Sequence, residues 1–105
     1  MTFLVVTAIL TVICARDAIL CPAPCSCRQY YGKQLADCEK RNLTSIPRSF
    51  PQYNEVLYLF DNQITSIDRG SFIGLANLQI LNLGSNRITA IDNSAFIHLN
   101  NLREL

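Results

Sequence analysis

A chain of 105 residues has room for one small domain, and half of its residues are hydrophobic. Its formal net charge of +1 gives no electrostatic case for a partner, and the sequence carries no basic stripe that suggests nucleic acid and no acidic block that suggests a tail. The apolar content is uneven: residues 3–15, FLVVTAILTVICA, carry no charge, and Arg16 and Asp17 follow at once.

That first run falls short of the roughly 20 apolar residues a membrane-spanning helix needs. Its N-terminal place and the small Ala15 at its end predict a secretory signal peptide over residues 1–15, cleaved after Ala15. No Lys or Arg precedes the run, and Ile13 is bulky for the third-from-last position. Residues 16–20 read as a short linker.

Cys14 belongs to the leader, which leaves Cys21, Cys25, Cys27 and Cys38 in the spacing C-x3-C-x-C-x10-C. An even, clustered set in a small exported chain predicts a disulfide framework. Of the three pairings four cysteines allow, the one joining Cys25 to Cys27 across a single residue suits disulfide geometry poorly. Spacing does not choose between the other two. A four-thiolate zinc site is the competing reading, disfavoured by the oxidising destination and the cramped C-x-C.

Asn42-Leu43-Thr44 is an N-glycosylation acceptor triplet. It lies close to the cysteine cluster, so a glycan on Asn42 is expected near that cluster rather than on the repeats that follow.

From residue 54 the chain repeats itself. Residues 54–77, NEVLYLFDNQITSIDRGSFIGLAN, align with residues 78–101, LQILNLGSNRITAIDNSAFIHLNN, at a step of 24. The step relates Leu57 to Leu81, Leu59 to Leu83, Asn62 to Asn86, Ile64 to Ile88, Ile67 to Ile91, Phe72 to Phe96 and Leu75 to Leu99. Leu78 repeats at Leu102, and residues 102–105 begin a third unit. Leu78, Leu81, Leu83, Asn86 and Ile88 fill L-x-x-L-x-L-x-x-N-x-I, a leucine-rich-repeat signature. Leu81 and Leu83, two apart on a strand, point to one side and into a core. Asn62 and Asn86 fall where the chain leaves that strand, and their amides can satisfy backbone groups that have no ladder. A shorter echo, Leu43-Thr44-Ser45-Ile46, matches Ile64-Thr65-Ser66-Ile67 at a step of 21. Residues 21–53 are therefore expected to be a shortened first coil acting as a cap, because a solenoid's end coil would otherwise expose its core. Two disulfides can hold such a small cap together, and a closed loop of the size between Cys25 and Cys38 contributes on the order of 3 kcal/mol in the chain-entropy model.

Residues that alternate with the inward leucines are expected to face a concave surface, where solenoids bind partners. These are Val56, Tyr58, Phe60, Asp61 and Gln63 in the first repeat, and Ile80, Asn82, Gly84, Ser85 and Arg87 in the second. Tyr58 and Phe60 are the expected anchors, since aromatic side chains dominate interfaces. No catalytic set is legible. His98, the only histidine, reads as a solvated loop residue without a second nitrogen ligand for zinc. Asp68 and Asp92 are repeat-equivalent loop residues rather than an acid/base pair. No metal site, cofactor or enzyme activity is expected within these residues.

The cysteine spacing, Leu43-x-x-Ile46-Pro47 and the two repeats resemble the extracellular leucine-rich-repeat superfamily with its cysteine-rich N-terminal cap. The resemblance covers residues 21–105. Residues 21–64 look most like the cap of variable lymphocyte receptors and Slit-like guidance proteins. Asn54 departs from the pattern, which normally opens a repeat with Leu. The resemblance implies bridges Cys21–Cys27 and Cys25–Cys38. It also implies an α/β-type solenoid: a right-handed coil with short parallel strands on the concave face and an irregular or 3-10 convex side. The chain stops within a third repeat, so it is expected to be the N-terminal part of a longer protein. The implied function is a secreted or cell-surface recognition module for protein or glycan ligands, an immune-type or a guidance and adhesion receptor. Membrane attachment would need a region beyond Leu105. Two other classes fit less well: a structural matrix protein of small-proteoglycan type, and the targeting region of a larger extracellular enzyme.

Overall fold

The computed structural model describes residues 21–105; the expected signal peptide, Cys14 and the 16–20 linker lie outside the described residues. Among the described residues six short strands follow in chain order: β1 (Ser26–Tyr30), β2 (Lys33–Asp37), β3 (Val56–Tyr58), β4 (Ser66–Ile67), β5 (Ile80–Asn82) and β6 (Ala90–Ile91). One sheet runs β1-β2-β3-β5, and β4 and β6 make a separate parallel pair. β1 and β2 form an antiparallel hairpin, whereas β2, β3 and β5 are parallel.

The register carries the repeat into three dimensions. Ala36 stands beside Leu57 and Leu57 beside Leu81, with Asp37, Tyr58 and Asn82 aligned one residue later. A bridge between Ile80 and Glu104 extends the same parallel pairing toward the C-terminus. Steps of 21 and then 24 residues therefore bring equivalent positions side by side, and the cysteine-rich segment supplies a strand to the repeat sheet.

The hairpin was not foreseen. Its two strands carry few β-branched residues, so pattern alone does not mark them. The turn is legible only afterwards: Tyr31 and Gly32 have φ of 50° and 77°, the left-handed pair that a two-residue hairpin turn requires.

Alternation on the strands sends Ala36, Leu57, Leu59 and Leu81 into the core, where Ile64, Ile67, Phe72, Leu75, Leu78, Ala95 and Leu99 meet them. Ile46 and Phe50 close the core from the cap side. Phe72 and Phe96 stack at 5.7 Å between ring centroids, one coil on the next. Burial falls toward the C-terminal coil. Ile67 is 2% exposed, and its repeat equivalent Ile91 is 53% exposed, because no described coil lies beyond it.

The return side departs from expectation in one way: β4 pairs with β6 where irregular chain was expected. Among the described residues there is no helix. Hydrogen bonds of the 3-10 type do occur there: Ile73 N–H donates to Gly70 O, Leu75 to Phe72 and Leu78 to Leu75. They form single turns, not a run. Between β4 and the next strand the chain has only about a dozen residues, too few for a helix that also reaches back to the sheet.

Two disulfides hold the cap, Cys21–Cys27 and Cys25–Cys38, the pairing the resemblance implies. Cys38 is fully buried in the core, so the second bridge ties the N-terminal segment to the sheet. Asn54, which replaces the expected leucine, is buried as well. Its Nδ2 donates to Val56 O at 3.1 Å, which satisfies the amide locally.

Candidate recognition face

The outward rows of the sheet are set by register. One row is Leu35, Val56 and Ile80; the next is Asp37, Tyr58 and Asn82. The first is largely apolar, and it forces a correction. Val56, expected to face a ligand, is only 3% exposed. A short valine between the larger Leu35 and Ile80 has no open side, so Val56 packs within the sheet and cannot reach a partner. Ile80 remains half-buried at the margin of this row.

Tyr58 and Phe60 are each half-buried and meet edge to face, with centroids 5.6 Å apart. Each ring thus braces the other and leaves part of its surface to solvent, an arrangement aromatic pairs favour. Asn82, Asp61, Gln63, Ser85 and Arg87 are exposed. Asn82 Oδ1 accepts the N–H of Gly84 at 2.9 Å, which fixes the turn beside Phe60. Arg28 reaches Asp37 at 3.4 Å on the cap side of the same face.

Left-handed backbone marks the rim. Lys40, Asp61 and Ser85 have φ of 54°, 57° and 53°. They occupy equivalent places one residue ahead of the Arg41, Asn62 and Asn86 turn positions, and Lys40 N–H donates to Phe60 O while Asp61 N–H donates to Gly84 O. Non-glycine residues adopt this conformation rarely, and Asp does so more readily than most. Sequence reasoning placed Asp61 and Ser85 on the face without detecting this constraint. The only available signal was their shared position before an asparagine.

Beneath the rim the two asparagines act as backbone connectors. Asn62 Oδ1 accepts from Arg41 N (2.9 Å) and Leu43 N (3.0 Å). Its Nδ2 lies within hydrogen-bond distance of Cys38 O, Leu59 O and Phe60 O. Asn86 repeats the motif one coil on: Oδ1 accepts from Ile64 N at 3.0 Å, and Nδ2 faces Leu59 O, Leu83 O and Gly84 O. Amide groups that no sheet satisfies are thereby paired, and the rim is held to the coil before it.

At the opposite ends of the strands, Glu55 accepts from Gln34 N–H at 3.1 Å and from Gln79 Nε2 at 3.2 Å. Lys33 completes this chain through Gln79 Oε1. Polar links therefore flank the face on both sides and fix the spacing of its rows.

The leucine rich repeat family matches residues 55–105. This is a leucine-rich-repeat chain with a cysteine-rich N-terminal cap. It is 40% identical to leucine-rich repeat-containing protein 3B of Homo sapiens over 82 residues, which is 78% of this chain and 31% of that protein. It is 44% identical to vasorin of Homo sapiens over 62 residues, 59% of this chain and 9% of vasorin. The immunoglobulin superfamily containing leucine-rich repeat protein of Bos taurus is 41% identical over 61 residues, 58% of this chain and 14% of that protein. The matched part is thus a minor share of each relative's length.

Three further residues singled out by the sequence, Asp68, Asp92 and His98, follow β4 or β6 in the leucine-rich-repeat chain. His98 is exposed. Asp68 and Asp92 cap turns on the return side: Asp68 Oδ1 accepts from Gly70 N and Ser71 Oγ, both at 3.0 Å, and Asp92 Oδ1 from Ser94 N at 2.8 Å. An arginine contributed by the coil before faces each of them, Arg48 to Asp68 at 3.0 Å and Arg69 to Asp92 at 4.0 Å. The Ser71 hydroxyl, aided by Arg48 and the Gly70 N–H, holds the Asp68 carboxyl below the usual carboxylate range. Asn42 is exposed, with φ of 57°.

Proposed function

We propose that this chain is the recognition end of an exported protein and binds an extracellular protein partner through its strand face. On this reading a signal peptide over residues 1–15 and a linker over 16–20 precede a cap over 21–53. Two repeats, 54–77 and 78–101, and the start of a third follow. The observation that carries the reading is the division of labour on the sheet. Inward side chains of β3 and β5 are consumed by the core, while Tyr58, Asn82, Asp61, Ser85 and Arg87 are held in fixed rows by backbone pairing and asparagine connectors. Preorganised polar and aromatic groups on a rigid scaffold lower the ordering cost of association. Two disulfides suit an oxidising compartment, which supports secretion or the outer face of the plasma membrane. The reading is non-catalytic and assigns no cofactor, metal or nucleic acid.

The test is a binding screen of the chain against purified extracellular domains, followed by Tyr58→Ala with Phe60→Ala and, separately, Arg87→Glu. A binder lost in both variants, with an unchanged unfolding midpoint for Arg87→Glu, is the expected result. Undiminished affinity in folded variants of both kinds would place the ligand elsewhere.

A further inference from the structure

The expected glycan site belongs to the rim of the recognition face. Asn42 is in the cap by sequence, yet the step of 21 that aligns Asp37 with Tyr58 also aligns residue 42 with Gln63. The chain confirms the neighbourhood directly, since Gln63 N–H donates to Leu43 O at 2.8 Å. The next step aligns Gln63 with Arg87, whose N–H donates to Ile64 O at 3.0 Å. Asn42, Gln63 and Arg87 are all exposed and fall at equivalent steps of successive coils, although Asn42 alone of the three is left-handed.

Side-chain availability separates Asn42 from the ladder asparagines. The amides of Asn62 and Asn86 are used on both oxygen and nitrogen by the backbone. Among the described residues the Asn42 amide has no hydrogen-bond partner, and both Asn42 and Thr44 are exposed. The left-handed backbone at Asn42 is a conformation asparagine tolerates. That accounts for the residue type without a glycan, so the variants below keep this backbone.

We propose that Asn42 carries an N-linked glycan and that this glycan shields the cap-side end of the rim, at Gln63, leaving Asn82, Ser85 and Arg87 as the approachable end. In the transfer, Nδ2 of Asn42 bonds to the anomeric carbon of a lipid-pyrophosphate-linked oligosaccharide. The bond from that carbon to the pyrophosphate oxygen breaks, the pyrophosphate leaves with the electron pair, and one amide proton passes to solvent. No oxidant or reductant is needed. The proposal rests on the export reading given above, and it narrows the surface that reading offers a partner.

The experiment translates the full 105-residue chain in the presence of microsomes, which does not depend on complete folding. Wild type and Thr44→Ser are expected to show a glycosidase-sensitive increase in mass, and Asn42→Gly and Thr44→Ala none. Asn42→Gly keeps the left-handed turn while removing the acceptor. Protease-protected but unmodified chain overturns the glycan and leaves export standing. Chain that stays outside the microsomes overturns both.

Shielding is read on secreted protein carrying Gln63→Lys, labelled with an amine-reactive ester before and after glycosidase treatment. Labelling of the introduced amine is expected to quicken several-fold once the glycan is removed, with Lys33 at the far end of the strands unchanged. Equal rates with and without the glycan would overturn its placement over Gln63.

Discussion

Asn62 and Asn86 show what one side chain can do when it serves the backbone. Asn62 pairs with five main-chain groups from Cys38 to Leu43 and from Leu59 to Phe60, and it is 7% exposed. Truncation would leave several of those groups buried and unpaired, at ~1–3 kcal/mol for each that water cannot reach. Asn62→Ala is therefore expected to cost about 3 kcal/mol in denaturant unfolding. Asn86 is half-buried and lies toward the open end of the stack, so Asn86→Ala should cost about half as much. Equal losses would mean that solvent reaches both sites alike. The position of these residues was legible from the repeat, whereas the count of their bonds was not. Nor was the burial of Val56, because alternation says which way a side chain points and not how closely its in-register neighbours crowd it.

At the scale of elements, the strands are short and depend on links between coils. β4 and β6 comprise two residues each, too few to be stable without the turns that follow them. Those turns are fastened by Asp68 and Asp92, and the arginine from the coil before lies across each joint. The Ser71 hydroxyl and Arg48 favour the ionised form of Asp68, so its carboxyl titrates lower folded than unfolded. The sign follows from linkage: its contribution is present above the unfolded pKa and is lost as pH falls through the lowered folded value. A titration of unfolding midpoint against pH should therefore fall less steeply at acid pH in Asp68→Asn than in wild type. Parallel curves would show that solvent screening removes the effect at this exposed site. The hairpin of β1 and β2 is the element the sequence concealed. Its strands lack a strong apolar alternation, and Tyr31-Gly32 is a less familiar turn pair than Asn-Gly.

For the whole molecule, burial is graded along the solenoid axis. Leu57 is sealed between β2 and β5 and has no exposed surface, while Ile91, on the last described return strand, is half open to solvent. Leu57→Ala is expected to cost about 2–5 kcal/mol, as for other buried leucines, and Ile91→Ala less than about 1 kcal/mol. A comparable loss at Ile91 would reveal that something covers the C-terminal edge in solution.

The sequence by itself determined the period, the inward leucines, the asparagine turns and the cysteine set, because each is a local consequence of spacing and residue chemistry. A 24-residue step with leucines two apart leaves little choice but stacked strands over a common core. Tertiary structure decided what depends on neighbours distant in the chain. Stacking buried Val56 between Leu35 and Ile80, drew the cap's β2 into the repeat sheet, and brought Leu43, the neighbour of Asn42, within a 2.8 Å hydrogen bond of Gln63. Those outcomes turn on the register between coils, which is fixed only when backbone groups about twenty residues apart pair with one another.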